Sequence, residues 1–128
     1  MPELHVFEYA VVRLVPRVER EEFLNAGVIL LCQRLGFLQA RLALPETRLH
    51  ALTDGHANPV ELRERLRSFE RICWGRPEGG PIGQLGLAER FRWLTAQRST
   101  VVQTSAVHPG LCSDAAQALE RLFEQLVA

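Results

Sequence analysis

The chain contains no lysine; all fifteen of its basic side chains are arginine. A Schiff-base lysine and the lysine of a phosphate-binding P-loop are both excluded by that absence. Cysteine is scarce too. Cys32, Cys73 and Cys112 lie so far apart that no Cys-x-x-Cys pair exists, which removes zinc knuckles and thioredoxin-like redox pairs. No two histidines stand at i, i+4 among His5, His50, His56 and His108, so the helical metal-binding pair is missing, and no metal or cofactor is expected. Net charge is absent as well, with 15 basic against 15 acidic groups. Nucleic-acid binding is disfavoured, because that affinity comes largely from a basic surplus that releases counterions. The longest purely apolar run, Ala26 to Cys32, is too short to cross a bilayer. Met1-Pro2-Glu3-Leu4-His5 has no basic segment leading into an apolar one, so no signal peptide is read. No membrane partner is expected, and the chain reads as cytoplasmic.

What is present suits one globular domain over residues 1–128. Hydrophobic residues make up 47% and charged residues 23%, an ordinary balance for a chain that buries its own core. Leu4 to Val15 is apolar on both alternating faces and stops at Pro16, which predicts a central strand covered on each side. Arg13 interrupts one of those faces. Ala26 to Gln33 predicts a second strand. Gly36 turns it into a third, Phe37 to Leu44, where Leu38, Ala40, Leu42 and Leu44 share one face while Gln39 and Arg41 mark a wet side near the sheet edge.

Asn58-Pro59-Val60-Glu61 is a helix start, with Asn58 as cap, Pro59 in the first turn and Glu61 placed to close a capping box. Leu62, Leu66, Phe69 and Ile72 give that helix its apolar face, and Gly75 and Pro77 end it. Gly79 to Gly86 reads as a flexible connector. A second helix is predicted over about Leu87 to Ala96, a fourth strand over Thr100 to Ser105, and a last helix from Ser113 or Asp114 that turns Leu119, Leu122, Phe123 and Leu126 inward. His108-Pro109-Gly110 reads as a loop. The order β-β-β-α-α-β-α predicts an α+β fold, a mostly antiparallel four-stranded sheet with helices packed on it.

Chemistry-bearing residues concentrate after the first strand, where Arg17, Glu19, Arg20, Glu21, Glu22 and Asn25 fall within a few positions. A polar site at the end of the sheet is one reading, and a solvated turn with internal ion pairs is the other. Arg13 needs compensation wherever it is buried, and Glu22 is its nearest partner in sequence. Arg13, Glu22 and Asn25 are expected to converge, with Arg98 and Ser99 nearby. Arg98-Ser99-Thr100 joins a helix to a strand and suits either an anion or plain turn chemistry. The binding candidates are therefore Arg13, Arg20, Glu22, Asn25, Arg98 and Ser99; no catalytic residue is assigned. Arg63, Arg65, Arg67, Arg71 and Arg76, interleaved with Glu61, Glu64 and Glu70, predict a salt-bridged solvent face. The three cysteines, each flanked by apolar residues and without a cationic neighbour, should be reduced and inert.

Three stretches together, Tyr9-Ala-Val-Val-Arg13-Leu-Val-Pro16, Arg20-Glu-Glu22-Phe23-Leu-Asn25-Ala-Gly27-Val28, and Arg98-Ser99-Thr100-Val-Val-Gln103 with His108-Pro109-Gly110-Leu111, resemble a bacterial family catalogued as domain of unknown function 3037. The Glu-Phe-x-Asn-x-Gly-Val segment is the most specific part. Arg20-Glu21-Glu22-Phe23 departs from the Arg-Gly-Glu-Phe expected there. The resemblance carries no activity, but it implies a genomic setting beside a HipA-like kinase of the persistence-toxin type. It favours an accessory or regulatory protein of a two-gene, toxin–antitoxin-like module that binds this kinase or its target. A small enzyme or an anion-binding domain built on the Arg/Glu/Asn cluster is the alternative, and self-association is left open.

Overall fold

The structure, a computed structural model, describes residues 3–16, 22–53, 55, 58–75, 79–98 and 100–128. The chain runs β1 (His5–Leu14), β2 (Leu24–Cys32), a 3-10 turn (Gln33–Leu35), β3 (Phe37–Leu42), α1 (Glu46–Thr53), α2 (Pro59–Trp74), α3 (Gly80–Gly83), α4 (Leu87–Thr95), β4 (Val102–Thr104), β5 (His108–Cys112) and α5 (Ala115–Leu126). Strands β3, β2 and β1 are neighbours in that order, and β4 and β5 share the remaining edge of β1. All the pairings are antiparallel. This is the α+β architecture that the sequence predicts, with a fifth strand added.

That fifth strand is His108–Cys112, whose first three residues the sequence reads as a loop. Pro109 cannot donate to a ladder, so it is tolerated only at an edge. Gly110 lies opposite Phe7 and under its ring, where a side chain would collide with Phe7 Cε2 at 2.8 Å. Two residues that look like turn formers thus sit in a strand, for reasons of edge position and close packing. The expected fourth strand is also shorter than Thr100 to Ser105. It ends at Thr104, and Ser105 fills the break between β4 and β5. The buried Ser105 hydroxyl accepts the Val11 N–H at 2.8 Å and donates to the Ala106 carbonyl. Its own N–H donates to the Val11 carbonyl.

The sheet is the middle of three layers, as two-faced apolar strands require. On one face Ala10, Val12, Leu14, Ile29 and Leu31 pack with α1, α2 and α4 side chains, including Leu66, Phe69, Phe91 and Leu94. On the other face Phe7, Val28, Leu30 and Cys32 pack with Leu119, Leu122 and Phe123 of α5. Edge strand β3 keeps Leu38, Ala40 and Leu42 against the first core. Its Arg41 turns the other way, to Glu120 and over the Phe123 ring at 4.4 Å.

The helix boundaries follow their capping chemistry. Asn58 Oδ1 accepts the N–H groups of Val60 and Glu61, and Pro59 takes the first position. The Glu61 carboxylate does not close a capping box; it meets Arg65 one turn on, at 3.2 Å. Gly75 closes α2 in the left-handed region, at φ 65°. Asp114 caps α5 through the Gln117 N–H. The glycine-rich connector is not featureless, because α3 forms within it and Arg90 donates to the Gly83 and Leu85 carbonyls. The arginine-rich face of α2 pairs as expected, through Arg65–Glu61, Arg71–Glu64 and Arg63–Glu46. Among the described residues no helix is long and apolar enough to cross a membrane.

Candidate functional site

One irregularity in the β1–β2 ladder decides what stands at the C-terminal end of β1. The register runs regularly from Glu8↔Leu31 to Val12↔Gly27, then slips to Arg13↔Asn25 and Leu14↔Leu24. Ala26 is therefore an extra residue on β2, a β-bulge. A bulge inverts the side-chain alternation beyond it. Ala26 packs into the same core as Ile29 and Leu31, while Asn25 emerges on the α5 face with Val28 and Leu30. Without the extra residue, Asn25 would point into the apolar core beneath α2 and α4.

Gly27, the residue after the bulge, admits a close approach of β3. A β-carbon there would stand 2.6 Å from the Arg41 carbonyl oxygen and overlap a Leu42 methyl. The Ala26 carbonyl remains satisfied by the Ala43 N–H at 2.8 Å. The segment Glu22-Phe23-Leu24-Asn25-Ala26-Gly27-Val28 is thus a structural unit that delivers Phe23 and Asn25 to Arg13.

Arg13 is half-buried. Its guanidinium lies 4.2 Å from the centroid of the Phe23 ring, a cation–π stack. Phe23 itself remains 47% exposed. Arg13 also pairs across to Gln103 of β4. Asn25, directly opposite Arg13, donates from Nδ2 to the Leu126 carbonyl in the last turn of α5 at 2.9 Å. Arg48 donates to the Val127 carbonyl nearby. Both donors complement the negative, unsatisfied C-terminal end of that helix. Two buried polar atoms at this end have no hydrogen-bond partner among the described residues, Arg13 Nε and Asn25 Oδ1.

Of the sequence-predicted site residues, Arg13 and Asn25 come together as expected. Glu22 stands half-buried two residues before β2. Arg20 and Ser99 lie outside the described residues, as do Arg17, Glu19 and Glu21. Arg98 belongs to the same end of the sheet but to other neighbours. It donates to the Trp93 carbonyl, and its guanidinium lies 4.3 Å from the Trp93 ring and 5.7 Å from that of Phe69. Partial burial lowers its pKa. Thr100 spends its hydroxyl on the Val102 carbonyl, which is turn chemistry. Two separate arginine-on-aromatic stacks thus form, Arg13–Phe23 on the α5 face of the sheet and Arg98–Trp93 on the α2/α4 side, with Trp93 itself 41% exposed.

The aromatic halves of these stacks escape a search for ionisable residues, because Phe23 and Trp93 sit in segments that read as ordinary amphipathic structure. The usable signal was a phenylalanine held inside the Glu22–Val28 motif. A second surface was also missed. Val6 and Leu111 are direct cross-strand partners, 63% and 59% exposed, with exposed Leu4 beside them.

Metal chemistry finds no assembled site: among the described residues no three His, Cys, Asp or Glu side chains gather to hold an ion. All three cysteines are free and buried. One expectation about them needs correcting, since Arg90 acts on Cys73 and Arg121 on Cys112 and each favours the thiolate. Burial outweighs both. It pushes the Cys73 thiol up to about 12 and raises Cys112 as well.

No curated protein and no solved structure matches this chain. Over residues 9–127 it matches the family model described as a protein of unknown function, DUF3037, and the chain belongs to that family.

Proposed function

We propose that this chain is a non-catalytic accessory protein that binds a protein partner through the end of the sheet around β4. The observation that carries the reading is the stack of half-buried Arg13 on Phe23, whose ring stays 47% exposed, with Arg98 on Trp93 as a second stack on the other face of the sheet. Arginine and large aromatic side chains held rigidly at a surface are the composition of interface hot spots, where a few anchors supply most of the binding energy. Here each arginine is fixed in advance by its ring, so little side-chain entropy is lost on docking. Asn25 supports the surface from behind by tying β2 to the end of α5. The partner named by this reading is the HipA-like kinase, or that kinase's target, implied by the family resemblance in a two-gene, toxin–antitoxin-like module.

The test is co-purification of this chain with the neighbouring kinase, followed by titration of Phe23→Ala and Trp93→Ala. An anchor residue should cost about 2 kcal/mol or more, roughly thirtyfold in Kd. Failure of the two proteins to bind, or to alter each other's activity, at micromolar concentration rejects the kinase as partner. Binding that ignores both variants rejects this surface.

One observation favours a second reading, in which a small acidic ligand occupies the same end. Among the described residues Arg13 Nε is a buried donor without an acceptor, and such groups are costly unless something satisfies them. Inorganic phosphate and acetate are the probes. A rise in Tm with either anion, abolished by Arg13→Gln, supports the ligand reading, whereas an unchanged Tm sets it aside.

A further inference from the structure

The two edges of this sheet are treated differently. On the β4/β5 side, Val11 exchanges both of its backbone bonds with Ser105. Odd residues of β1 thus bond toward that edge. In β5 their partners His108, Gly110 and Cys112 face inward, which leaves Pro109 and Leu111 facing out. Pro109 removes one of the outward donors, a device that blunts an edge against further pairing. Strand β4 has only three residues, a poor template.

The opposite edge has no such protection. The Ala43 N–H bonds to the Ala26 carbonyl, and Val28↔Arg41, Leu30↔Gln39 and Cys32↔Phe37 continue the same phase. Phe37, Gln39 and Arg41 therefore spend their backbone groups on β2, while those of Leu38, Ala40 and Leu42 point away from the sheet. Among the described residues no other backbone group bonds to them. The strand is six residues long and contains no proline, glycine or bulge. Its one charged side chain, Arg41, is drawn onto α5 by Glu120 and Phe123.

We infer that β3 pairs with β3 of a second copy, antiparallel about a two-fold axis at Ala40, and makes one continuous sheet through the dimer. The sequence of the strand is self-complementary in that register. Ala40 meets Ala40 at the axis, so the smallest side chain of the strand stands where two copies of one residue must coexist. Leu38 lies opposite Leu42 of the second copy. Each of these outward pairs exchanges two N–H···O=C bonds. On the α5 face, Gln39 stands opposite Arg41 of the second copy, so no like charges are opposed. This surface is separate from the one proposed for the protein partner, and the two inferences fail independently.

Sedimentation equilibrium of the full chain from about 1 to about 500 μM reads the dimer directly. Ala40→Pro removes only an outward-facing N–H, so the fold is retained by circular dichroism while the central pair of bonds is lost; this variant should remain monomeric. Gln39 is exposed and serves even if the proline variant does not fold. Gln39→Glu sets a carboxylate opposite Arg41 of the second copy at two symmetric positions and should tighten the dimer roughly twofold to thirtyfold. Gln39→Arg opposes like charges there and should weaken it over the same range. A mass of one copy throughout the range overturns the inference. So does a dimer whose Kd is the same in both Gln39 variants, because its partner is then not β3.

Discussion

Replacing Gly27 by alanine tests the close approach of two backbones beside the bulge. The β-carbon of the new residue would lie 2.6 Å from the Arg41 carbonyl oxygen and overlap a Leu42 methyl. Leu42 is only half-buried and can rotate away, but the carbonyl belongs to β3 and moves only if β3 moves with it. Inserting a methyl into such a contact costs about 1–3 kcal/mol. Against this, alanine restricts the unfolded chain and returns about 0.4–1 kcal/mol. The net loss should be about 1–2 kcal/mol, seen in urea titration as a midpoint lower by roughly 1 M with an unchanged slope. A double-mutant cycle with Leu42→Ala separates the two obstacles. If the carbonyl is the wall, the cost of Gly27→Ala persists in the Leu42→Ala background, with a coupling below about 0.5 kcal/mol. A neutral or stabilising Gly27→Ala, or a cost that vanishes once Leu42 is truncated, would refute the reasoning.

Three further outcomes are expected. Ser105→Ala leaves the Val11 N–H buried without the acceptor it now has at 2.8 Å and should cost about 1–3 kcal/mol, measured by denaturant unfolding. Asn25→Ala breaks the bond to the Leu126 carbonyl; it should cost about 1 kcal/mol and speed amide exchange in the last turn of α5 more than elsewhere. The Cys73 pKa is raised from 9.0 to about 12 by burial, so its contribution is fully present below pH 9 and is lost as the pH climbs toward 12. Between pH 9 and 11 the native protein should lose stability more steeply than Cys73→Ala does, and equal alkaline slopes would contradict that burial.

Much of the architecture was legible along the chain because its causes are local. The apolar runs on both faces of Leu4–Val15 announce a strand sandwiched between layers, and Phe7 and Val12 do lie in opposite cores. Asn58, Pro59 and Gly75 mark α2 because capping bonds join residues only a few positions apart. The split between Leu38/Ala40/Leu42 and Gln39/Arg41 marks β3 as an edge, since a one-sided wet pattern survives only where one face stays near solvent.

Tertiary structure decided the rest, above all the face on which Asn25 appears. Simple alternation along Asn25, Gly27, Ile29 and Leu31 puts the asparagine in the apolar core. The slip at Ala26 turns it to α5, and beside that slip Gly27 lets β3 come close from another part of the chain. The same holds for His108-Pro109-Gly110, whose local chemistry says turn. It becomes a strand because β1 offers a free edge that tolerates Pro109, and because the ring of Phe7 occupies the space above Gly110. A sequence states what each residue prefers among its near neighbours. Which distant backbone arrives beside it is settled only when the sheet closes, and there a contact that costs a few kcal/mol outweighs a local preference worth less than one.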